Sequence, residues 1–308
     1  MLIGQSPDIT KIKRIIRESA NSNENVLVFG EIGVGRRYVA KEIHEKSNLK
    51  NRPFVTINCT AIGDTITDQD LFGATTESNR GIERKIGLFE QAKKGAIYLE
   101  NLEDLTPEYQ QKFVSIIKGK KFRKSDDDTL IDAHFRIYAA SSDEKLLSKD
   151  TIRRDLLTLL GKFTITIPPL RKRKQDIPLL FAHFLEQYCA EFEREIPTIS
   201  AELFESLIDY EWHGNILELK NAVRNLVLMS PEGKLSIEYL PFEIKKHPFE
   251  FLADHDLPEA VSELEKWFIK KSLRRFAGNQ TKAARVLNVS EAALRYKMKK
   301  YGLTRKTF

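Results

Sequence analysis

The fold of this chain is decided by twelve residues near the amino terminus, VLVFGEIGVGRR at positions 26–37. Four apolar residues precede the glycines and a segment with helical apolar spacing follows them, which predicts a buried strand, a glycine-rich turn and a helix. Four residues separate Gly30 from Gly35, the spacing of a loop whose backbone N–H groups hold phosphate at the start of a helix. We therefore expect nucleotide phosphates to bind at the loop residues, which are Gly30, Glu31, Ile32, Gly33, Val34, Gly35, Arg36 and Arg37.

This loop lacks two side chains that phosphate loops use in catalysis. A lysine normally follows the last glycine and reaches the outer phosphates, and a serine or threonine then binds Mg²⁺. Arg36 and Arg37 occupy these positions. A guanidinium binds phosphate, but its planar fork does not replace a compact ammonium group. We expect ATP, ADP or another nucleotide to bind without hydrolysis, and no magnesium ligand is assigned. The alternative is an empty loop that is retained for the fold.

Length and composition argue against a membrane-spanning, exported, disulfide-linked or metal-binding protein. A chain of 308 residues is long enough for two or three compact units. It has no apolar run near the roughly 20 residues that a membrane helix needs, and no export signal is visible. The two cysteines, Cys59 and Cys189, are far apart and the six histidines are scattered, so neither a disulfide nor a metal site is expected. The sequence predicts a cytoplasmic protein.

Positive charge is concentrated at the carboxyl end. Residues 251–308 contain 13 Lys or Arg and 6 Asp or Glu, a net charge of +7, whereas the whole chain has a net charge of +6. The first 250 residues therefore have a net charge of −1. A basic excess of this kind indicates contact with nucleic acid, with a solvated basic helix as the alternative.

Short apolar runs alternate with helical patterns up to residue 167. This alternation predicts an α/β fold with a parallel sheet, whose ligands bind beyond the carboxyl ends of the strands. The phosphate loop, Glu100-Asn101 and Ser141-Ser142 all fall at such ends. Residues 176–229 and 257–303 have only helical patterns. The predicted strands are 26–29, 54–58, 95–101, 135–141 and 162–167.

Seven motifs, in order, resemble those of the bacterial sigma-54-dependent activators, in which an AAA+ domain is joined to a Fis-type helix-turn-helix. They are LIGQS (2–6), the phosphate loop, DLFG (70–73), GLFE (87–90), GAIYLEN (95–101), PPLRKRKQDI (168–177) and WHGNILEL (212–219). The resemblance implies an α/β AAA+ parallel-sheet domain at 1–170, a helical lid at 171–240, a linker at 241–256 and an all-α Fis-type domain at 257–308. The start at Leu2 leads us to expect no receiver or sensor domain before the AAA+ unit.

Several positions depart from the catalytic pattern that the resemblance implies. The family places a lysine, an Asp-Glu pair, a sensor asparagine, two interface arginines and a lid arginine where this chain has Arg36, Glu100, Asn101, Ser142, Arg153, Leu159 and Leu217. Of these, Arg153 matches the first interface arginine and the others depart from the pattern. Asn101 has no basic group and cannot activate water as a carboxylate would. The loop GAFTGA, with which the family contacts sigma-54, is absent between residues 74 and 86. We therefore expect no catalytic residues, a degenerate ATPase and regulation independent of sigma-54.

The carboxyl-terminal segment resembles a Fis-type helix-turn-helix. Ala283, Ala284 and Leu294 are among the apolar residues expected to fix two short helices, and Ser290 is expected to cap the second. Glu291 either contacts a cytosine or only favours the helix start. The apolar helix before this motif predicts a dimer, with packing inside its own domain as the alternative. Candidate DNA contacts are Asn279, Gln280, Thr281, Ser290, Glu291, Ala293, Arg295, Tyr296, Lys299 and Lys300.

The favoured hypothesis is a transcription regulator whose AAA+ domain oligomerises and senses nucleotide or another signalling ligand. Double-stranded DNA, further copies of the chain and RNA polymerase are its expected partners. The second hypothesis is an ATP-hydrolysing activator of sigma-54 polymerase. The third is an architectural DNA-binding protein whose AAA+ part only oligomerises.

Overall fold

A computed structural model describes residues 2–78, 81–125, 130–142, 151–230, 233–241, 244, 256–276 and 278–303, without the side chains of 76–78 and 81–83. The chain forms two compact units, Met1–Leu240 and Pro241–Phe308. No helix in the described ranges is long and apolar enough to cross a membrane. Most of the predicted linker, 242–243 and 245–255, lies outside the described residues, and the four-part division of the chain remains a prediction.

The first unit is built on a parallel sheet whose strands lie in the order Phe54–Asn58, Ala96–Glu100, Arg136–Ser141, Val26–Phe29 and Phe163–Thr166. Its predicted strands are confirmed, with ends that differ by at most one residue. The elements up to the end of this sheet are α1 (Pro7–Ala20), β1 (Val26–Phe29), α2 (Arg36–Lys46), β2 (Phe54–Asn58), α3 (Asp68–Phe72), β3 (Ala74–Ser78), β4 (Gly81–Lys85), α4 (Leu88–Gln91), β5 (Ala96–Glu100), α5 (Pro107–Gly119), β6 (Lys121–Arg123), β7 (Leu130–Asp132), β8 (Arg136–Ser141), α6 (Arg154–Leu160) and β9 (Phe163–Thr166).

Strand β1 is buried on both faces because helices cover both sides of the sheet. Leu27 and Phe29 pack in a cluster that includes residues of α5 and α6. Val26 and Val28 pack on the opposite side with residues of α1 and α2. The alternation of side chains along a strand explains why a continuous apolar run fits this position.

Two antiparallel hairpins were not predicted. Strands β3 and β4 pair from Ala74 opposite Lys85 to Ser78 opposite Gly81, and β6 pairs with β7. The sequence from 74 to 86 is too polar to show an alternating apolar face, so its pattern does not predict these strands. Its residues 79 and 80 lie outside the described part of the chain.

Three helices form the predicted lid in the remainder of the first unit. Its elements are α7 (Ile177–Glu191), β10 (Thr198–Ile199), α8 (Ala201–Asp209), α9 (Asn215–Met229) and β11 (Lys234–Leu235). The side chain of Trp212 is fully buried, and its indole N–H donates to the carbonyl of Leu207 at 2.7 Å. Asp176, just before α7, accepts hydrogen bonds from the backbone N–H groups of Gln5 and Ser6, which joins the start of the chain to the lid.

The second unit contains α10 (Leu257–Arg275), α11 (Gln280–Val286) and α12 (Glu291–Lys300). Its core consists of Ile269 and Leu273 of α10 together with apolar residues of the other two helices. Ala283, Ala284, Leu294 and Met298 are buried there, as predicted, and Leu287 and Val289 pack against them.

Candidate nucleotide site and candidate DNA-binding surface

The phosphate loop joins the carboxyl end of β1 to the start of α2. Gly33 has φ +83° and Gly35 has φ +100°, a backbone region that strongly favours glycine. A β-carbon on Gly33 would lie 2.2 Å from the carbonyl oxygen of Gly214. Glycine at this position therefore permits both the turn and the close approach of the lid.

The start of lid helix α9 holds the loop through Asn215. This side chain is fully buried; its Nδ2 donates to Oε2 of Glu31 at 3.1 Å and to the carbonyl of Ile32 at 3.0 Å. Its Oδ1 accepts from the backbone N–H of Leu170 at 2.8 Å. The backbone N–H of Leu217 donates to the carbonyl of Gly33 at 3.3 Å. Asn215 lies in a quoted motif, but the sequence did not show that it contacts the loop.

The acidic residue of the loop, Glu31, forms an ion pair with an arginine. Both carboxylate oxygens of Glu31 accept from the guanidinium of Arg171, with a distance of 2.8 Å for the Nη1–Oε2 contact. Hydrogen bonding to Arg171, assisted by Asn215, lowers the pKa of Glu31 to about 2. Glu31 is therefore ionised at neutral pH, and its charge is balanced by that of Arg171.

Arg36 points from the start of α2 towards the carboxyl end of β5. Its side chain is 7% exposed, and Nη2 donates to Oδ1 of Asn101 at 3.4 Å. Its Nη1 is buried without a hydrogen-bond partner in the described part of the chain. Asn101 is held by its own donor contacts, to Oδ1 of Asn58 at 3.1 Å and to Oγ1 of Thr60 at 3.3 Å. At the position where the resemblance implies a catalytic carboxylate, the guanidinium of Arg36 thus contacts the neutral amide of Asn101.

Ser142 is also engaged. Its backbone N–H donates to Oε1 of Glu103 at 3.0 Å, and its hydroxyl donates to the same oxygen. Burial works against ionisation of Glu103, but hydrogen bonds from Ser142 and the neighbouring backbone outweigh it and lower its pKa. Glu103 is not a candidate residue in the sequence analysis. Its role depends on the contact between the end of β5 and the end of β8, which no local sequence pattern shows. Glu100 lies half-buried at the end of β5.

The three positions at which the resemblance implies arginines hold one arginine and two leucines. Arg153 donates from Nε and Nη2 to the two carboxylate oxygens of Asp155, at 3.1 and 2.9 Å. Leu159 packs against the core under α6, and Leu217 is 53% exposed beside the loop. No group of three or more His, Cys, Asp or Glu in the described residues has the arrangement of a metal site. The loop and the buried cation of Arg36 can bind an anion, and the side chain that contacts Arg36 is the amide of Asn101, which cannot accept a proton from water.

The second unit has the geometry of a helix-turn-helix. Ser290 accepts from the backbone N–H of Ala293 at 3.1 Å and caps α12, as predicted. Asn279 caps α11 in the same way through the backbone N–H of Lys282 at 3.0 Å. Asn288 has φ +52° in the turn between the helices. The caps fix where α12 begins and therefore which side chains its first turn presents.

Candidate DNA contacts cluster on the exposed side of these helices. Arg295 is 65% exposed at its side chain and donates to Oε2 of Glu291 and to Oε1 of Gln280, both at 3.2 Å. Glu291 therefore orients Arg295 as well as favouring the helix start. Thr281, Tyr296, Lys299 and Lys300 are exposed candidates without a carboxylate partner in the described ranges, and exposed Asn279 and Ser290 contact only backbone N–H groups there.

An apolar groove of about 520 Å³ lies between α10 and the two shorter helices. Phe268 and Val286 line it and are 45% and 54% exposed. Val261, also on α10, is 46% exposed. The long helix thus does not bury its whole apolar side inside its own unit.

Comparison with known proteins agrees with this geometry. Residues 2–166 match the sigma-54 interaction domain, residues 171–257 the AAA+ ATPase lid domain and residues 260–301 the bacterial regulatory protein Fis family. Regulatory protein AtoC of Escherichia coli is 30% identical over 315 aligned residues, which cover 98% of this chain and 68% of AtoC. Transcriptional activator RocR of Bacillus subtilis is also 30% identical, over 97% of this chain and 68% of RocR.

Crystal structures of NtrX from Brucella abortus, in complex with ADP and with ATP, superpose with a TM-score of 0.70 at 27% identity. The match covers 98% of this chain and 69% of NtrX. Matches of this extent establish the family as well as the fold. The chain belongs to the sigma-54 interaction domain family of bacterial transcription regulators, with an AAA+ domain, its lid and a carboxyl-terminal Fis-family helix-turn-helix.

Proposed function

We propose that this chain is a DNA-binding transcription regulator whose AAA+ domain binds ATP or ADP without hydrolysing it. The observation that carries the proposal is the contact between Arg36 and Asn101. The amide cannot accept a proton from water, and the charged group that contacts it among the described residues is the guanidinium at 3.4 Å. Backbone N–H groups of the loop and the buried cation still favour a phosphate.

The other altered positions support the same proposal. Leu159 and Leu217 supply apolar side chains where the resemblance implies arginines, and Arg153, which matches the first interface arginine, is paired with Asp155 of its own chain. Loss of an arginine that stabilises transferred phosphate costs about 1,000-fold or more in rate. Turnover therefore has neither the base nor the full set of cations that phosphoryl transfer uses.

Measurement of nucleotide binding and phosphate release on the same protein tests the proposal. We expect fluorescent ATP and ADP to bind and inorganic phosphate not to accumulate. The double variant Arg36→Lys/Asn101→Glu should raise phosphate release by about 100-fold or more, since a general base contributes about 100- to 10,000-fold. Arg36→Lys/Asn101→Gln is the matched control, because glutamine has the length of glutamate without its basic oxygen. Steady release by the wild type that Arg36→Ala abolishes would contradict the proposal.

The second candidate is an ATP-hydrolysing activator of sigma-54 polymerase, and the family match favours it over the first. The named relatives include a transcriptional activator, and NtrX was crystallised with ATP. Transcription from a sigma-54 promoter with purified polymerase separates the two candidates. We propose independence from sigma-54 because residues 74–86 lack the contacting motif, and we then expect no ATP-dependent transcription there. RNA polymerase remains a proposed partner in either case.

We further propose that two copies of the second unit pair through the groove side of α10, so that two recognition helices read one DNA site. Exposed Val261 and Phe268 supply the apolar surface. Phe268→Asp should shift sedimentation towards smaller species and weaken DNA binding, whereas Arg274→Asp on the same helix should leave the sedimentation profile unchanged. We also propose that the AAA+ domains assemble into a higher oligomer. The proposed location is the cytoplasm, where bacterial DNA lies.

A third candidate, an architectural DNA-binding protein, predicts that nucleotide does not affect DNA affinity. Titration of DNA with and without ATP distinguishes it from a sensor. An affinity that changes with nucleotide supports sensing, since binding at one site must then favour the conformation that the other site requires.

A further inference from the structure

A polar cavity of about 640 Å³ lies at the amino ends of the parallel strands, opposite the edge that carries the phosphate loop. Its lining comes from residues just before β1, β5, β8 and β9 and from residues at or just after the carboxyl ends of α2, α5 and α6. Strand topology therefore separates this cavity from the nucleotide site within the same unit. None of the motifs discussed above assigns it a role.

The cavity is strongly basic. Lys94, Lys120, Lys162 and Arg136 line it, and Glu24 is the only acidic residue of the lining. With histidine neutral, these side chains have a net charge of +3. The three lysine ammonium groups form no ion pair or hydrogen bond within the part of the chain that the structure describes. Surface lysines without partners repel one another, and an anion would relieve that repulsion.

Arg136 is a buried cation at this cavity. It is 3% exposed, and its Nε and Nη2 donate to the backbone carbonyls of Glu24 at 2.7 Å and Ser19 at 2.8 Å. Its guanidinium lies 4.9 Å from the ring centroid of Tyr138, and Nη1 has no hydrogen-bond partner in the described ranges. Burial lowers the pKa of Arg136, Tyr138 and the carboxylate of Glu24 oppose that shift, and the described residues show no direct ion pair to the guanidinium. A buried cation without a direct ion pair is costly, so the guanidinium adds to the attraction of the cavity for an anion.

We infer that this cavity is a second ligand site, which binds a small molecule with two or more phosphate groups. Lysine ammonium groups bind phosphate oxygens as point charges, and three of them surround a space of the size of a small-ligand pocket. The net charge of +3 matches a polyphosphate better than a singly charged anion. The site is independent of the proposed nucleotide function of the phosphate loop.

Pyrophosphate is the probe, because it has two phosphate groups and lacks a nucleobase that could bind elsewhere on the protein. Isothermal titration calorimetry on the full chain with Arg36→Gln isolates the cavity from the phosphate loop. In that background, Lys94→Gln/Lys162→Gln should weaken pyrophosphate binding by about 100-fold, since each charge-assisted contact is worth about tenfold. The matched control is Lys11→Gln/Lys93→Gln, which removes the same charge from two exposed lysines outside the lining. This control should change the affinity by less than about twofold.

Several outcomes would overturn the inference. One is that Arg36→Gln abolishes all pyrophosphate binding, which would assign it to the phosphate loop. Another is equal affinity of the lysine and control variants, with lower thermal stability only in the first, as expected if these lysines merely complement helix carboxyl ends. Tighter binding of citrate than of pyrophosphate would reject phosphate as the recognised group. Circular dichroism of each variant confirms that the fold is retained before affinities are compared.

Discussion

Replacement of Asn215 by alanine should detach the lid from the phosphate loop. The buried amide makes three hydrogen bonds, at 2.8 Å from Leu170, at 3.1 Å to Glu31 and at 3.0 Å to Ile32. Its backbone also has φ +57°, a region where asparagine is tolerated better than alanine. Both the side chain and the backbone therefore oppose the substitution.

The cost can be estimated from these contacts. A buried donor left without a partner, here the N–H of Leu170, costs about 1–3 kcal/mol. The left-handed backbone adds about 1 kcal/mol for alanine. Contacts to Glu31 and Ile32 are more accessible to water, so their loss adds less. We expect the free energy of unfolding of the first unit to fall by about 2–4 kcal/mol.

Urea denaturation followed by tryptophan fluorescence measures this change. Trp212 is fully buried three residues before Asn215, and the other tryptophan, Trp267, belongs to the second unit. A Trp267→Phe background leaves Trp212 as the only reporter of the first unit. Nucleotide affinity measured in the same background should also fall, because the loop loses two of its lid contacts.

Two further variants at this position separate the causes. Asn215→Gly accepts the left-handed backbone and should lose about 1 kcal/mol less than Asn215→Ala. Asn215→Asp restores the acceptor for Leu170 but places a carboxylate beside Glu31, so it should raise the pKa of Glu31 by like-charge repulsion. A loss below about 1 kcal/mol for Asn215→Ala would refute the argument that this amide joins the lid to the loop.

Three other predictions concern single contacts. Because the pKa of Glu31 is lowered from 4.5 to about 2, its pairing with Arg171 stabilises the fold above about pH 4.5 and is lost as pH falls towards 2. Arg171→Gln should flatten that part of the stability profile in acid titrations, and an unchanged profile would contradict the pairing. Ser290→Ala should destabilise the second unit by about 1 kcal/mol, measured by Trp267 fluorescence, whereas Ser290→Asn should be nearly neutral. Arg295→Ala should weaken DNA binding and reduce the slope of log affinity against log salt by about one if Arg295 contacts a phosphate; an unchanged slope would place Arg295 away from the backbone.

The sequence predicted the sheet and the positions of the loop and helix caps because these depend on local patterns. The apolar run at 26–29 is buried on both faces, and Ser290 caps the helix that its neighbours form. By contrast, the contact between Glu31 and Asn215 joins residues 184 positions apart, and no local pattern encodes it. The capture of Ser142 by Glu103 depends on where two strand ends meet. Side-chain pairs of this kind are set by tertiary packing.

Binding and catalysis make different demands on the residues around the phosphate loop. Two carboxylates near the phosphate loop are held by hydrogen bonds. Glu31 is paired with Arg171, and Glu103 accepts from Ser142. Asn101 is neutral and forms no ion pair with Arg36, which it contacts at 3.4 Å. On the proposed function, the cation still attracts a phosphate, whereas the amide does not act as the base that hydrolysis requires.

A nucleotide in such a site would persist and act through the conformation that it favours. The loop contacts the lid directly at Gly33 and through Asn215, so a ligand that displaces either contact changes the free energy of the lid's position against the loop. Its effect cannot exceed the difference between its affinities for the two lid positions. The Asn215 variants measure the free energy that this contact contributes in the absence of nucleotide. If the domain is a sensor, a bound nucleotide must change the free energy of the lid–loop contact by a comparable amount.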